Sequence, residues 1–439
     1  MRHSISLSLN QEDLVSKLLN NLKEVSVYCV LNSNKDSQDH SDKYHRYDLL
    51  AGIEVLEKIT PETNSFEAVQ NFYLEKKDWL FGHFNYDLKD ELEKLSSSNH
   101  DRLGIPPLYF FRPKYVLSLN DHILKFEYLP EYTGETEAKK YLENLLRTSI
   151  KATRPNENEL KTDIRSQVTE QVYLDRVKII KEHIQRGDIY EMNYCTEFFS
   201  EKFKVDPVEI YLRLNQYSPM PFSAFYKLPD HYALCGSPER FIAKRKDKII
   251  SQPIKGTARR GTSEQDDMRI KENLRTDPKE KAENVMIVDL VRNDLSKTAQ
   301  KGSVIVEELF AVKSFKRLHQ MISTITSHHK PEINFTDIIR HAFPMGSMTG
   351  APKVRAMQII EDLEQTKRGL YSGSIGYIDP AGDFDFNVVI RTILYNSTSG
   401  ALSFMVGSAI TANSDPEAEY KECLLKAESM KMALRKSFV

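Results

Sequence analysis

Apolar residues recur at helical spacing in several stretches of the chain beyond residue 170. Tyr173, Val177, Ile180 and Ile184 fall on one helical face, and Gly187 supplies a stop after them. Farther on, a segment that follows GSMTGAPK places Ala356, Ile359, Ile360 and Leu363 on one face. Each pattern predicts an amphipathic helix with one buried side.

Two more helices are predicted to begin at an Asp-Pro pair. Asp277 and Pro278 suit an N-cap and a first helical position for a segment that runs through AENVMIVDLVRNDL, which is apolar on enough sides to be internal. Asp415 and Pro416 begin the last helix in the same way. The predicted buried positions of this last helix are Tyr420, Cys423, Ala427, Met430 and Leu434.

The hydrophobic period changes to two in other stretches, which predicts β-strands. The alternation covers residues 373–380, 384–395 and 402–411, and IYEMNYCTEF at 189–198 is also strand-like. The sequence DPAGD at 379–383 predicts a hairpin turn. Antiparallel hairpins mixed with separate helices indicate an α+β fold.

The 439 residues, 40% of them hydrophobic, are enough to bury a large core. Residues 1–150 mix short apolar runs with polar breaks and show no catalytic constellation, so they are predicted to be an N-terminal scaffold region. The composition then turns polar, which predicts a connecting segment at 151–166. Residues 167–439 are predicted to form the catalytic domain.

Composition narrows the classes of partner and compartment. The 61 Lys and Arg nearly balance the 63 Asp and Glu, so no strong field favours nucleic acid or a membrane surface. The four cysteines are scattered singly, which is typical of a reducing compartment. The N-terminus has no apolar core of signal-peptide length, and no apolar run is long enough to span a membrane. We expect a cytoplasmic protein whose partner is a small molecule or another protein.

Two charged residues on neighbouring strand-like segments could carry chemistry. Glu239 and Lys255 lie in segments joined by the turn KRKDK, and hairpin partners can bring such side chains together. On spacing alone, a lysine before a glycine is more typical of a solvated surface residue. The pattern by itself therefore leaves both interpretations open.

Other charged residues are open to a similar choice. Glu419 and Glu422 share one face of the last helix with Lys426, a pattern common on solvated helices. Glu283 lies in a helix that otherwise looks buried, so it needs a metal ion or a basic partner. Arg391 follows three apolar residues in a predicted strand, where a guanidinium is typically a carboxylate-binding fork.

Seven motifs resemble those of the chorismate-binding enzymes in order and approximate spacing. They are SPERF, PIKGT, AENVMIVDLVRNDL, FPMGSMTGAPK, YSGSIGY, VVIRT and SDPEAEYKECLLKA. The resemblance covers roughly residues 167–435 and is weak before them. This family includes the large subunits of anthranilate synthase and aminodeoxychorismate synthase, and the isochorismate and salicylate synthases. It implies large antiparallel sheets packed with helices in a layered α/β/β/α sandwich, as in anthranilate synthase component I.

Lys255 occupies the position that divides activities within this family. Lysine there resembles aminodeoxychorismate synthase component I, and alanine resembles anthranilate synthase component I. Chorismate has a leaving hydroxyl at C4 and a conjugated C2 that a neutral amine can attack with allylic displacement. The resemblance implies that Lys255 adds at C2 while Glu239 protonates the leaving hydroxyl, and that ammonia enters at C4 as the lysine leaves. The product, 4-amino-4-deoxychorismate, leads to p-aminobenzoate and folate.

The resemblance also assigns the rest of the site. Glu283, Glu419 and Glu422 are implied to hold Mg²⁺, a hard ion that suits carboxylate oxygens. The implied substrate-binding residues are Arg391, Tyr371, Gly346, Ser347, Gly407, Ser408, Lys426, Thr257 and Glu191. Tyr371 could equally be a core aromatic, and the glycines could serve turn geometry alone. A separate glutamine amidotransferase subunit is implied as the source of ammonia, and hence a heterodimer.

The chain departs from the family pattern at three places. Glu191 replaces a glutamine, and the isochorismate-forming relatives carry a lysine base there, so activation of water at C2 is disfavoured. Either deprotonation of the arriving ammonium or simple hydrogen bonding stays open for Glu191. A loop that usually reads GAG is Gly407, Ser408 and Ala409 here, so the freedom of one glycine is lost. Gln320 replaces a histidine, with His319 adjacent.

Two alternatives are weighed against the aminating enzyme. Anthranilate synthase component I would form an aromatic product and release pyruvate, and Lys255 argues against it. A non-catalytic regulatory protein that binds chorismate or tryptophan would be expected to have lost the acid, the nucleophile or the metal ligands. All of these are present: Glu239, Lys255, Glu283, Glu419 and Glu422.

Overall fold

The computed structural model describes residues 1–9, 13–35, 42–147 and 164–435. The strands are β1 (His3–Ser8), β2 (Tyr28–Asn32), β3 (Leu49–Ile59), β4 (Leu80–Phe84), β5 (Leu108–Asn120), β6 (Ile123–Tyr128), β7 (Arg165–Ser166), β8 (Glu191–Ser200), β9 (Phe222–Lys227), β10 (His231–Ser237), β11 (Arg240–Arg245), β12 (Lys248–Gln252), β13 (Ile254–Arg259), β14 (Ile305–Ser314), β15 (Leu318–His328), β16 (Gly350–Ala351), β17 (Ser374–Ile378), β18 (Phe384–Asn387), β19 (Thr392–Asn396) and β20 (Leu402–Ile410). The α-helices are α1 (Leu14–Asn21), α2 (Ser65–Lys76), α3 (Lys89–Glu93), α4 (Glu135–Leu146), α5 (Glu170–Gln185), α6 (Pro207–Tyr217), α7 (Glu264–Thr276), α8 (Pro278–Ser296), α9 (Phe335–Ala342), α10 (Lys353–Leu363) and α11 (Pro416–Leu434). Single 3₁₀ turns lie at Tyr86–Leu88 and Gly346–Met348.

The strands pair antiparallel in two long series that share β5. One series runs β1, β6, β5, β3, β2, β9, β10, β19, β20 and β8. The other runs β5, β4, β17, β18, β11, β12 and β15, and both β13 and β14 pair with β15. The length of β5 lets it take part in both series.

Alternation along the strands separates two hydrophobic cores. In β2, Tyr28 and Val30 face the core that the helices α1, α4, α5, α6, α10 and α11 cover, whereas Cys29 faces the other core. That second core also packs α2, α8 and α9. Because successive strand residues point to opposite faces, a strand such as β2 contributes side chains to both cores. The predicted α+β class with layered sheets and helices is confirmed.

Local capping explains why the predicted helices begin where they do. The Asp277 carboxylate accepts hydrogen bonds from the backbone N–H groups of Lys279 and Glu280, and Pro278 occupies the first helical position. Asp415 caps α11 in the same way through the N–H of Ala418. These two helix starts are confirmed, as is the 379–383 hairpin turn between β17 and β18.

Three expectations about these elements were wrong. Helix α8 is not internal all round, because its Val285 is 42% exposed. The stretch 384–395 is not one strand: β18 ends at Asn387, and Arg391 lies between strands with φ 51°. Lys255 is not on the hairpin partner of β11, since the chain passes from β12 through Pro253 into β13, which pairs with β15.

The N-terminal region shares its sheets with the rest of the chain. Strand β2 pairs with β9, and β4 pairs with β17. Most of the predicted connecting segment, 151–163, lies outside the described residues, and 165–166 form β7 against β8. The helices of the described ranges include none with the length and apolar character needed to cross a bilayer.

Candidate active site

A cavity of about 840 Å³ lies between β13, β20, α8 and α11. Residues from distant parts of the chain meet there, because antiparallel pairing brings β13 beside β15 and the last helix packs on β20. The predicted site residues that line it are Glu239, Lys255, Thr257, Glu283, Ser347, Tyr371, Arg391, Gly407, Ser408, Glu419, Glu422 and Lys426. The structure therefore brings together most of the residues singled out from the sequence.

Two predicted residues do not line this cavity. Gly346 lines a neighbouring void of about 20 Å³, together with Glu239 and Ser347. Glu191 is buried at the start of β8, and its Oε2 has no hydrogen-bond partner among the described residues. Burial raises the pKa of Glu191, and the positive charge of Lys255 opposes that rise. Glu191 thus lies behind the cavity wall, within electrostatic reach of the amine.

Glu239 is a buried acidic group that faces the cavity. It immediately precedes β11 and is 4% exposed, and the Ser347 hydroxyl donates a hydrogen bond of 2.7 Å to its Oε1. Burial raises the pKa of Glu239 to about 7, while Ser347, Lys255 and Arg391 pull the pKa down. A carboxyl group in this environment can hold a proton near neutral pH and can donate it.

Lys255 supplies the only predicted nucleophile of this site. Its amine makes no hydrogen bond or ion pair with the described residues, although its charge lowers the pKa of Glu239 and of Glu283. Gly256 follows it with φ 88°, a conformation that favours glycine, and helps turn β13 at this point. The amine is therefore available to a molecule in the cavity.

Arg391 reaches the cavity because the strand breaks. Its left-handed backbone lies between β18 and β19, its carbonyl accepts a hydrogen bond from the Gly236 N–H, and one of its Nη atoms is 3.8 Å from the Met220 sulfur. Burial lowers the pKa of the guanidinium to about 10, and the nearby Glu239 opposes this shift. The guanidinium stays charged at neutral pH and suits a substrate carboxylate.

Strand β20 and helix α11 join through side chains at the edge of the cavity. Lys426 donates a hydrogen bond of 2.9 Å to the Gly407 carbonyl and pairs with Glu422 at 2.8 Å. The Ser408 hydroxyl donates to Glu419. A Cβ on Gly407 would come within 2.5 Å of the Cys195 sulfur, so close packing requires the glycine. Packing against Cys195 is therefore enough by itself to require glycine at position 407.

The candidate metal ligands lie on facing helices, but they do not form a ready cage. Among the described ranges, no three His, Cys, Asp or Glu side chains converge closely enough to hold an ion. Lys279 stands between Glu283 and Glu419, while Glu422 pairs with Lys426. Burial raises the pKa of Glu283 to about 7, and its Oε1 is buried with no hydrogen-bond partner.

This donor set nonetheless fits a magnesium ion. Four carboxylates, those of Glu280, Glu283, Glu419 and Glu422, line the cavity on α8 and α11. Oxygen ligands of this kind suit Mg²⁺, which keeps several waters and needs few protein ligands. An orphaned buried carboxylate oxygen also lacks the partner that a cation would supply.

Several residues of the site were missed from the sequence. Lys279 and Glu280 could have been found, because they lie four and three residues before Glu283 on the same helix. Gln320, one of the departures from the family pattern, lines the cavity with a buried Oε1 that has no hydrogen-bond partner among the described residues. Its neighbour His319 faces away and contacts Asp267 at 2.9 Å.

Arg368 was also missed from the sequence. It does not line the cavity and affects the site only through other residues. It pairs with Glu364 and donates hydrogen bonds to the carbonyls of Met348 at 2.6 Å and Asn193 at 2.9 Å. The Asn193 side chain in turn donates to the carbonyl of Ser347. Arg368 therefore ties the 346–348 turn to β8 and fixes the residue that hydrogen bonds to the candidate acid.

Comparison with known proteins identifies the family of this chain. A family model described as chorismate binding enzyme matches residues 18–432, which extends the resemblance into the N-terminal region. Aminodeoxychorismate synthase component 1 of Bacillus subtilis is 34% identical over 364 residues, covering 81% of this chain and 77% of that protein. Anthranilate synthase component 1 of Aquifex aeolicus is 32% identical over 367 residues, covering 81% of this chain and 74% of that protein.

The fold has a close counterpart among solved structures. Anthranilate synthase component I from Streptococcus pneumoniae superposes with a TM-score of 0.76 at 23% sequence identity, covering 90% of this chain and 95% of that chain. At this identity the likeness concerns the fold alone. The family match along nearly the whole chain shows that the protein belongs to the family of chorismate-binding enzymes.

Proposed function

We propose that this enzyme is the component of an aminodeoxychorismate synthase that converts chorismate and ammonia to 4-amino-4-deoxychorismate. The observation that carries the proposal is the Lys255 amine, unpaired among the described residues, in one cavity with the buried acid Glu239. The name of the Bacillus subtilis relative supports the same activity. The product would serve the synthesis of p-aminobenzoate and folate.

Lys255 acts as the nucleophile in this reaction. Its neutral nitrogen bonds to C2 of the ring, the two ring double bonds shift toward C4, and the C4–O bond breaks. Ammonia then bonds to C4, the double bonds shift back, and the C2–N bond to Lys255 breaks. The covalent adduct divides one difficult substitution at C4 into two displacements. An alanine at this position would offer no nucleophile.

Glu239 supplies the proton that lets the hydroxyl leave as water. Because Ser347 donates to Oε1, a proton carried by this carboxyl group is directed to Oε2. The raised pKa of Glu239 keeps that proton available near neutral pH. Arg391 orients the substrate by binding a carboxylate, which is a charge-assisted and bidentate interaction.

Glu283, Glu419 and Glu422 are the residues that would hold Mg²⁺. When bound, the ion would neutralise the ring carboxylate and anchor it. The chain's own residues then hold the substrate between the two helices that carry these carboxylates and the strand that carries Lys255. Tyr371 contributes to the wall of this space, where its hydroxyl accepts a contact of 3.7 Å from the Cys195 thiol.

A glutamine amidotransferase subunit is the proposed source of ammonia, in a heterodimer with this chain. The designation "component 1" of the Bacillus subtilis relative supports a second component. We place the reaction in the cytoplasm, in keeping with four cysteines that are all unpaired and buried.

The identity of the product tests this proposal. The purified chain is incubated with chorismate, Mg²⁺ and ammonium at mildly alkaline pH, with and without added aminodeoxychorismate lyase. We expect p-aminobenzoate only when the lyase is present. Anthranilate formed without the lyase would establish the alternative, which the Aquifex aeolicus relative favours. Chorismate that binds and remains unchanged would indicate a non-catalytic protein.

A further inference from the structure

Lys279 lies where a metal ion would be expected between two helices. Its amine is 3.3 Å from Oε1 of Glu419 on α11 and 3.8 Å from Oε1 of Glu283 on α8. Glu419 is 2% exposed and Glu283 is 8% exposed, so two buried carboxylates share one lysine. The charge that holds this junction together comes from a side chain that is itself 48% exposed.

The position of Lys279 in its helix does not explain this arrangement. Lys279 is the second residue of α8, directly after Pro278, and the positive end of the helix dipole there disfavours a cation. The lysine is held by the acidic residues around it instead. The charges of Glu419, Glu283 and Glu422 all raise the pKa of its amine, in opposition to the effect of burial.

The lysine satisfies the two carboxylates incompletely. At 3.8 Å the amine is too far from Glu283 to form a hydrogen bond, and Oε1 of Glu283 has no other partner among the described residues. Glu419 is fixed from its other side by the Ser408 hydroxyl. The ammonium group of Lys279 thus leaves one buried carboxylate oxygen without a hydrogen bond. A divalent cation would be a better partner for that oxygen.

We propose that Lys279 is an internal counter-ion, which occupies the space between Glu283 and Glu419 when no divalent cation is bound and moves into solvent when one binds. Movement of the lysine is cheap, because half of its side chain is already in water, whereas the two carboxylates are held by buried helix faces. The proposal rests on the magnesium role given above. It explains why the carboxylates do not form a ready cage.

Removal of this counter-ion should strengthen metal binding. In Lys279→Met the side chain keeps its length but offers no positive charge, so Mg²⁺ no longer displaces a cation. We expect the dissociation constant of Mg²⁺ to fall about tenfold, since one unit charge near the site is removed. Lys279→Arg keeps the charge and should bind Mg²⁺ no more tightly than the unmodified chain.

Isothermal titration of Mg²⁺ into the full chain, freed of metal by EDTA and desalted, measures this directly. Lys281→Met is the matched control, because it removes the same charge from the same helix while its amine lies over the Phe310 ring instead of the carboxylates. The rise in melting temperature at a fixed, sub-saturating Mg²⁺ concentration gives a second readout. It should be larger for Lys279→Met than for the unmodified chain or the Lys281→Met control.

Four results would overturn the proposal. The first is that neither the unmodified chain nor Lys279→Met binds Mg²⁺, and the second is that Lys279→Met binds Mg²⁺ no more tightly than the unmodified chain. The third and fourth are that Lys281→Met or Lys279→Arg tightens Mg²⁺ binding as much as Lys279→Met does. If Lys279→Met does not fold, Lys279→Gln replaces it in the same titration. None of these measurements depends on the identity of the product. The proposal about Lys279 can therefore be wrong while the proposed amination is right, and the proposed amination can be wrong while the proposal about Lys279 is right.

Discussion

Two large cavities differ in how their charges are partnered. The larger, of about 1050 Å³, lies between N-terminal strands and the rest of the fold, and several of its charged residues form ion pairs with one another. Arg240 is 3.0 Å from Asp385 and 3.1 Å from Asp42, and Lys35 is 3.6 Å from Asp121. The smaller cavity, of about 840 Å³, contains the Lys255 amine, which has no ion-pair partner among the described residues, and the Glu283 Oε1 atom, which has no hydrogen-bond partner among them.

This difference shows that unsatisfied charge, more than volume, marks the candidate site. Burying a charge without a partner is costly, so a chain that does so gains something else from it. In the smaller cavity Glu239 and Glu283 both have a pKa raised to about 7 by burial. Ion pairs that satisfy one another, as in the larger cavity, leave little chemistry available to a ligand.

The largest effect is expected from Lys255→Ala. The substitution removes the nucleophile of the smaller cavity, so kcat for amination should fall by roughly 10³-fold or more. Intact-mass analysis after incubation with chorismate should show no covalent adduct in this variant. An adduct that survives the substitution would show that another group is the nucleophile.

Glu239→Gln should lower activity and raise stability together. Loss of the proton donor should reduce kcat by about 10²–10⁴-fold. The pKa of Glu239 is raised from 4.5 to about 7, so the stabilisation that its proton gives is present below about pH 4.5 and lost as pH rises through about 7. At pH 8 the free energy of unfolding of the variant should therefore be higher by on the order of 3 kcal/mol. Denaturant unfolding at pH 5 and pH 8 measures this, and an equal change at both pH values would contradict it.

Arg368→Lys should have an intermediate effect. Without its planar fork, the turn that carries Ser347 loosens, and kcat should fall about tenfold with KM little changed. Because the Ser347 hydrogen bond lowers the pKa of Glu239, its loss should move the alkaline limb of the kcat profile to higher pH. Arg112→Lys, at another buried arginine far from the site, is the control and should leave that limb in place.

The smallest effect is expected from Lys35→Ala in the larger cavity. This is the same substitution as Lys255→Ala, made at a lysine that pairs with Asp48 and Asp121. Activity should stay within about twofold, and the free energy of unfolding should change by less than about 1 kcal/mol. A loss of activity comparable to that of Lys255→Ala would erase the distinction between the two cavities.

Much of the fold could be predicted because its signals are local. The Asp-Pro pairs at 277–278 and 415–416 set helix starts through hydrogen bonds within three residues, and DPAGD sets its turn in the same way. The prediction failed where hydrogen bonds to distant parts of the chain determine the local structure. Arg391 interrupts an apolar run that looks like one strand, because backbone hydrogen bonds to Gly236 and to the 372–373 turn hold residues 389–391 out of the sheet.

The sequence by itself determined the types of residue available for chemistry and the elements that carry them, since caps, periodicity and motifs act over short distances. Only the tertiary structure decided which of those charges find partners. Lys279 lies between Glu283 and Glu419, and its ion pair with Glu419 joins residues 140 positions apart. Lys255 is left unpaired among the described residues. The physical reason is that burial and Coulomb energy depend on distances in space, which local patterns along the chain do not fix.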